Sequence, residues 1–424
     1  MTAIPINEAA LVSERAASLG IVRFVGEERT YWRLMIRGSV LLLLTLGIYR
    51  FWLATDQRRF LWSNTELAGQ SFEYNGTAVE LLLGFLIAIA IIVPLNAVMV
   101  IVALELETLE LASLLAFVQF ALFGPFAVYR ARRYRLTRTV FRGIRFHQTG
   151  SGLRYAIYFI LWWSAIALTL GLAYPWAQAS LERYKMGHTF YGDLRGSFEG
   201  AGWRLFVRGI GLWAVIVGPF ILACVVAAMS VDWSAVVAAA AQGEDVVGGI
   251  EGINPEFYVA VVLMSVAAGW LVITAALLYP AFQAMMLRWW TTGLRFGGLE
   301  FDSRLRTSHV YRAYLRFVGY ALLLLVAAAF AWWISGYAGD FLGVERDSGS
   351  DQIVQAILWL AAYVFIALGS SAVYQVTVKL GLWRLAVDAL DLSGLGTLES
   401  VKAAGRPASP FGEGLADALN VGGL

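Results

Sequence analysis

Residues Leu44–Gly76 read LTLGIYRFWLATDQRRFLWSNTELAGQSFEYNG: the end of an apolar run, then aromatics, then basic residues, then a short Gly-bounded segment. The same progression returns along the chain. Arg59-Phe60 recurs as Arg133-Tyr134, Arg183-Tyr184 and Arg288-Trp289, and Thr65 recurs as Thr139 and Thr189. Leu44-Thr45-Leu46-Gly47 returns intact as Leu168-Thr169-Leu170-Gly171, and Ser71-Phe72-Glu73 returns as Ser197-Phe198-Glu199. A last, degenerate copy lies near Arg384 and Gly394. The expectation is a chain built from about five degenerate internal repeats.

The runs between these copies set the class. Of 424 residues, 59% are hydrophobic and 15% charged, against about 25% charged in soluble domains. The excess is gathered into long segments, and a mostly apolar run of about 20 residues crosses the hydrocarbon as a helix. A polytopic all-α membrane protein of six to eight hydrophobic helices follows, with short interfacial β-like hairpins after each repeat helix. Residues 1–30 are expected to form a flexible cytosolic lead, 31–400 a single membrane domain, and 401–424 a disordered tail. No cleavable signal peptide is visible. The single cysteine, Cys224, lies in an apolar run and can make no internal disulfide.

Charge placement constrains topology. Arg130, Arg132, Arg133, Arg135, Arg138, Arg142 and Arg145 form a stretch without an acidic residue, which the positive-inside rule assigns to the cytoplasm. Acidic links fall at 105–108, 231–256 and 336–352. All basic stretches lie on one side only if the first and fourth apolar segments, near 38–53 and 153–176, enter and leave on the same face. Six segments then span as three hairpins, and two are re-entrant or in-plane. Both termini are then cytoplasmic.

The recurring set resembles the YjgN-like family of bacterial inner-membrane proteins. It is carried by the two Leu-Thr-Leu-Gly motifs, by Tyr49 and Trp52, by Tyr174-Pro175-Trp176, by the Arg-aromatic pairs and by the segments ending at Gly76 and Gly150. The likeness runs from about Tyr31 to Ser400, although the first copy has Arg50-Phe51 where the third has Pro175. It implies a bacterial inner-membrane location and no particular activity.

Candidate functional residues fall into three groups. Arg59, Arg130, Arg132, Arg133, Arg135, Arg138, Arg183 and Arg288 are candidates for lipid or anion binding, because juxtamembrane guanidinium groups reach phosphate from the end of a span. Tyr49, Trp52, Tyr134, Tyr174, Trp176, Tyr184 and Trp289 are candidates for an interfacial aromatic belt. Pro94, Pro125, Pro175 and Pro280 are candidate helix breaks, of the kind that frames sites near the midplane of transporters. His147, His188 and His309 stand singly, so no metal site is expected, and no nucleotide or nucleophile motif occurs. No cofactor, nucleic-acid partner or enzymatic activity is expected. The best functional expectation is a transporter or channel-like protein for a lipid or small amphipathic molecule. The alternative is a non-catalytic scaffold holding anionic phospholipid headgroups or a partner through its basic stretches.

Overall fold

The computed structural model describes residues 20–105, 109–241, 255–335 and 349–404. The acidic residues Glu107, Glu244, Asp245, Glu251, Asp340, Glu345 and Asp347 lie outside these, as do the first part of the expected lead and all but the start of the expected tail. Contacts divide the chain into one unit of residues 1–202 with 288–424 and another of 203–287.

Among the described residues, six helices are long and apolar enough to cross a membrane. They are α3 (Ala78–Glu105), α4 (Leu109–Arg138), α7 (Gly202–Ser230), α9 (Pro255–Gly293), α10 (Thr307–Ser335) and the helix α11 (Gly349–Tyr374), which continues through a π-helical turn (Gln375–Leu380) into α12 (Gly381–Asp388). Pro94, Pro125 and Pro280 lie inside α3, α4 and α9. These helices run on through their prolines, so the expected breaks are corrected. Proline removes one amide donor and adds a local clash, and a long helix in lipid tolerates both where neighbouring groups satisfy the freed carbonyl.

The first and fourth apolar segments behave differently. Each is divided by a turn, so that only its first part lies in a 17-residue helix, α1 (Glu28–Leu44) or α5 (Gly152–Leu168). At 1.5 Å per residue that is about 25 Å, short of a hydrocarbon core of about 30 Å. Both end on the Leu-Thr-Leu-Gly motif. Leu46 and Leu170 adopt φ of 50° and 51°, and Gly47 and Gly171 adopt 92° and 94°. Two successive left-handed residues reverse the chain, and the second position is one that glycine occupies without penalty. Thr45 Oγ1 donates to Leu41 O at 2.7 Å and accepts from the Tyr49 amide at 2.9 Å. Thr169 Oγ1 likewise donates to Ala165 O and accepts from the Ala173 amide. The chain then returns in 14-residue helices, α2 (Arg50–Ser63) and α6 (Tyr174–Gly187), with Pro175 in the first turn of α6, where its missing N–H removes no helix bond.

The helices of the larger unit lead into short strands: β1 (Gly20–Phe24), β2 (Thr65–Leu67), β3 (Gln70–Ser71), β4 (Glu73–Tyr74), β5 (Thr139–Phe141), β6 (Ile144–Gln148), β7 (Thr189–Tyr191), β8 (Leu194–Phe198), β9 (Leu294–Phe296), β10 (Leu299–Ser303) and β11 (Leu390–Ser393). They form one antiparallel sheet in the order β3-β2-β1-β11-β10-β9-β8-β7-β6-β5-β4. Its two ends, β3 and β4, are consecutive in the chain and separated only by Phe72. The stretch Gln70–Tyr74 therefore pairs with β2 through its first half and with β5 through its second, and the sheet closes on itself. Closure leaves no open edge.

The strand β1 corrects the expected lead, because Gly20–Phe24 pairs with both β2 and β11 and buries Val22 and Phe24. The other boundary also moves. A 3₁₀ turn (Leu395–Glu399) follows β11 and sets Leu398 and Val401 among Phe141, Tyr191, Leu299, Phe72 and Phe296 inside the sheet. Asp193 and Lys402 add reciprocal hydrogen bonds, the Lys402 amide to Asp193 Oδ1 and the Asp193 amide to Lys402 O.

The smaller unit is a helical pair with a short helix between, α8 (Trp233–Ala241). Ala227, Val231 and Ala260 form its buried cluster, and Trp270 Nε1 donates to Val215 O at 2.9 Å.

Candidate functional site

Where the helices of the larger unit end on the sheet, they surround a cavity of about 340 Å³. Phe72, Phe146 and Phe296 of the sheet form one wall. Trp62, Trp290 and Trp383 from three helices form another, with Trp62 and Trp383 stacked at 5.2 Å between ring centroids. Leu136, Met186 and Leu294 fill between them.

The polar groups of this wall are satisfied by one another. Thr65, Thr139 and Thr189 each sit at the junction of helix and strand, and each hydroxyl donates to the carbonyl four residues back, at Leu61, Arg135 and Lys185. Each then accepts from the next element: Trp383 Nε1 to Thr65 at 3.0 Å, Trp62 Nε1 to Thr139 at 2.9 Å, Arg132 Nη1 to Thr189 at 2.8 Å. With its hydroxyls engaged in both senses, the lining is chemically apolar. Among the described residues Arg132 is the one ionic side chain in it, held by Gln148 Oε1 at 2.7 Å and Met186 Sδ at 3.3 Å. Beyond the wall, the Glu182 carboxylate accepts from Lys185 Nζ at 2.5 Å and Trp290 Nε1 at 3.1 Å.

The candidate arginines do not share one face. Arg59 donates to Gly76 O at 2.9 Å, Arg183 to Gly200 O at 3.2 Å and Arg288 to Leu305 O at 3.3 Å. Arg384, outside the candidate set, makes the same kind of contact with Gly26 O at 3.0 Å. Each ties a returning helix to the chain leaving the sheet. Arg138 is buried against Glu80 at 2.9 Å, and Tyr134 donates to the same carboxylate at 2.6 Å. Arg130 lies 5.9 Å from the Phe126 ring, and Arg133 and Arg135 are half-buried and engaged. Only Arg132 among them lines the cavity.

The aromatic belt is corrected in part. Tyr134 is wholly buried and Trp289 nearly so, with Trp289 Nε1 on Ala201 O, so these two belong to the core. Each sits one residue after a clasping or clustered arginine, on the inward face of its helix. Tyr184 packs on Tyr129 and Tyr155 and donates to Ser151 O. Tyr49 and Trp52 stack on each other, and Trp176 is exposed. Of the histidines, His188 contacts Tyr184 O at the end of α6, and His147 stacks on Phe190. Burial first, and the Arg133 charge second, hold the His147 imidazole below its ordinary pKa.

Of the cavity's tryptophans and phenylalanines, Phe72 lies in the recurring Ser-Phe-Glu motif, but nothing in that motif marks it as part of a cavity. The recurring Thr65, Thr139 and Thr189 were the available signal. Residues 20–418 match DUF898, a family of bacterial proteins of unknown function. The chain belongs to that family. No curated protein and no solved structure matches it. Membership in DUF898 supplies a bacterial family without an assigned activity and does not by itself supply the YjgN-like name.

Proposed function

We propose that this DUF898 member is a non-enzymatic carrier in the bacterial inner membrane that takes up a small amphipathic molecule, its apolar part in the central cavity and an anionic end at Arg132. The carrying observation is the cavity itself: about 340 Å³ of apolar lining with one guanidinium in its wall, at the sheet end of the spanning helices. That volume lies at the small end of ligand sites, which run from about 300 to 1,000 Å³, and the mix of apolar walls with few polar groups is typical of them. Beyond the cavity the closed sheet is filled by Phe141, Tyr191, Leu299 and Leu398, which favours binding and release over an open channel.

The proposal includes the same-side topology. Leu44, Leu46, Leu168 and Leu170 at the tips of the α1–α2 and α5–α6 turns are largely exposed, and apolar tips of this kind suit insertion into lipid from the sheet side. The recurring arginine-to-carbonyl clasp is what degenerate repeats around a ring would share, and it counts against a headgroup-binding role for Arg59, Arg183 and Arg288 in the scaffold alternative.

Displacement of a fluorescent fatty acid from the protein in nanodiscs tests the proposal. Leu136→Trp should fill the cavity and abolish binding. Arg132→Gln should weaken binding of a carboxylate probe about tenfold, the size of one charged hydrogen bond, and leave a neutral alcohol of the same chain length unaffected. Equal binding by wild type and Leu136→Trp would exclude the cavity as the site.

A further inference from the structure

A second cavity, of about 370 Å³, lies elsewhere in the larger unit and shares no residue with the first. It opens between the first turns of α10, the π-helical turn with α12, and the start of α1. His309, Arg312, Arg316 and Arg384 line it, and Glu28 is its one carboxylate among the described residues. Three guanidinium groups therefore face a single acid. Arg316 is paired with Glu28 at 2.5 Å, and Arg384 is turned to Gly26 O. Arg312 is exposed and has no hydrogen-bond or ionic partner among the described residues, and the His309 imidazole likewise has none there. The uncompensated charge is thus concentrated at the mouth. A π-helical turn forms one wall, and such turns, which widen the helix and disturb its bonding, are frequent at functional sites.

We infer that this cleft is a phosphate-binding site occupied by the headgroup of an anionic phospholipid. Guanidinium groups match phosphate in geometry and charge, and basic pockets between spanning helices hold lipid headgroups. The cleft's position supplies the acyl path. Directly along α10 from Arg312, the exposed Leu315, Val318 and Leu322 descend towards the apolar part of the helix, and Ile36 and Val40 are exposed on α1. A free phosphate ion would need only the cleft; a lipid would use both.

The full-length protein in phosphatidylcholine nanodiscs containing a minor fraction of phosphatidylglycerol separates these sources, with retained lipid counted by native mass spectrometry. Wild type should retain phosphatidylglycerol. The double variant Arg312→Gln with His309→Gln should retain it about five- to tenfold less, because one charged contact and the headgroup attraction are lost. Arg312→Lys should keep most of it. Arg142→Gln, an exposed arginine on a sheet turn, should not change it. Neither Arg312 nor His309 holds another side chain, so the variants should fold with an unchanged Tm. Equal retention by wild type and the double variant, or an equal loss in Arg142→Gln, would overturn the site. Inorganic phosphate that binds the wild type and displaces no lipid would overturn the lipid assignment.

Discussion

At the scale of single residues, the informative groups are those whose polar atoms are already spent. Arg138 is buried and paired with the partly buried Glu80, and losing Glu80 leaves a buried guanidinium without its countercharge, at a cost of up to about 3 kcal/mol. That expense belongs to architecture. Recurrence made Arg59, Arg183 and Arg288 visible in the sequence, but recurrence does not say whether a guanidinium meets a phosphate or a backbone carbonyl. Only the path of the chain places Gly76, Gly200 and Leu305 within reach. His147 gives a residue-scale prediction. Its folded pKa is depressed, so the unfolded chain, with an imidazole near 6.5, takes up the proton first as pH falls. Stability contributed by the neutral ring is present above about pH 6.5 and declines below it. Tm measured against pH should fall on the acid side for the wild type, and less for His147→Gln. Parallel curves would assign the acid response to other groups.

At the scale of elements, the Leu-Thr-Leu-Gly motif was legible as a repeat and not as a turn. Its meaning depends on the left-handed backbone of Leu46-Gly47 and Leu170-Gly171 and on a threonine hydroxyl that both donates and accepts across the reversal. Hydrophobicity alone gives the wrong weight to these helices: α5 is as apolar as a span yet too short to be one. The prolines erred in the opposite direction, since a composition signal for breakage met helices that continue through it. The re-entrant reading makes a measurable claim about the tips. A nitroxide on Cys at position 46 or 170, in a Cys224→Ser background, should relax faster with oxygen, which concentrates in lipid, than with a water-soluble nickel chelate. A label at Arg142, on a sheet turn, should show the reverse order. A tip with the Arg142 pattern would place these turns in water and remove the re-entrant assignment.

At the scale of the whole molecule, the recurrence of the Gly-bounded segments after each basic stretch suggests a small β layer joining the repeats, and one sheet does join them, but no local feature of the sequence shows that it closes on itself. Closure rests on pairings between distant parts of the chain, with β1 beside β11, and on the bisected strand around Phe72, none of which has a local signature. Yet closure decides topology. Strands bonded in one sheet cannot lie on opposite faces of a membrane, so each helix or helical hairpin between consecutive strand pairs must return to the face it left. His147 in β6 pairs with Phe190 of β7, and the Thr149 amide donates to His188 O, so positions 147 and 188 are neighbours. Single cysteines at these two positions, in Cys224→Ser, should therefore behave alike towards an impermeant thiol reagent in intact cells. In the orientation that the positive-inside rule proposes for the arginines clustered from Arg130 to Arg145, that shared face is cytoplasmic, and both should stay unlabelled until the cells are permeabilised. Labelling of both from outside would invert the orientation and leave the sheet intact. Labelling of one alone would require α5 to cross, would separate β6 from β7, and would leave the central cavity without its common wall.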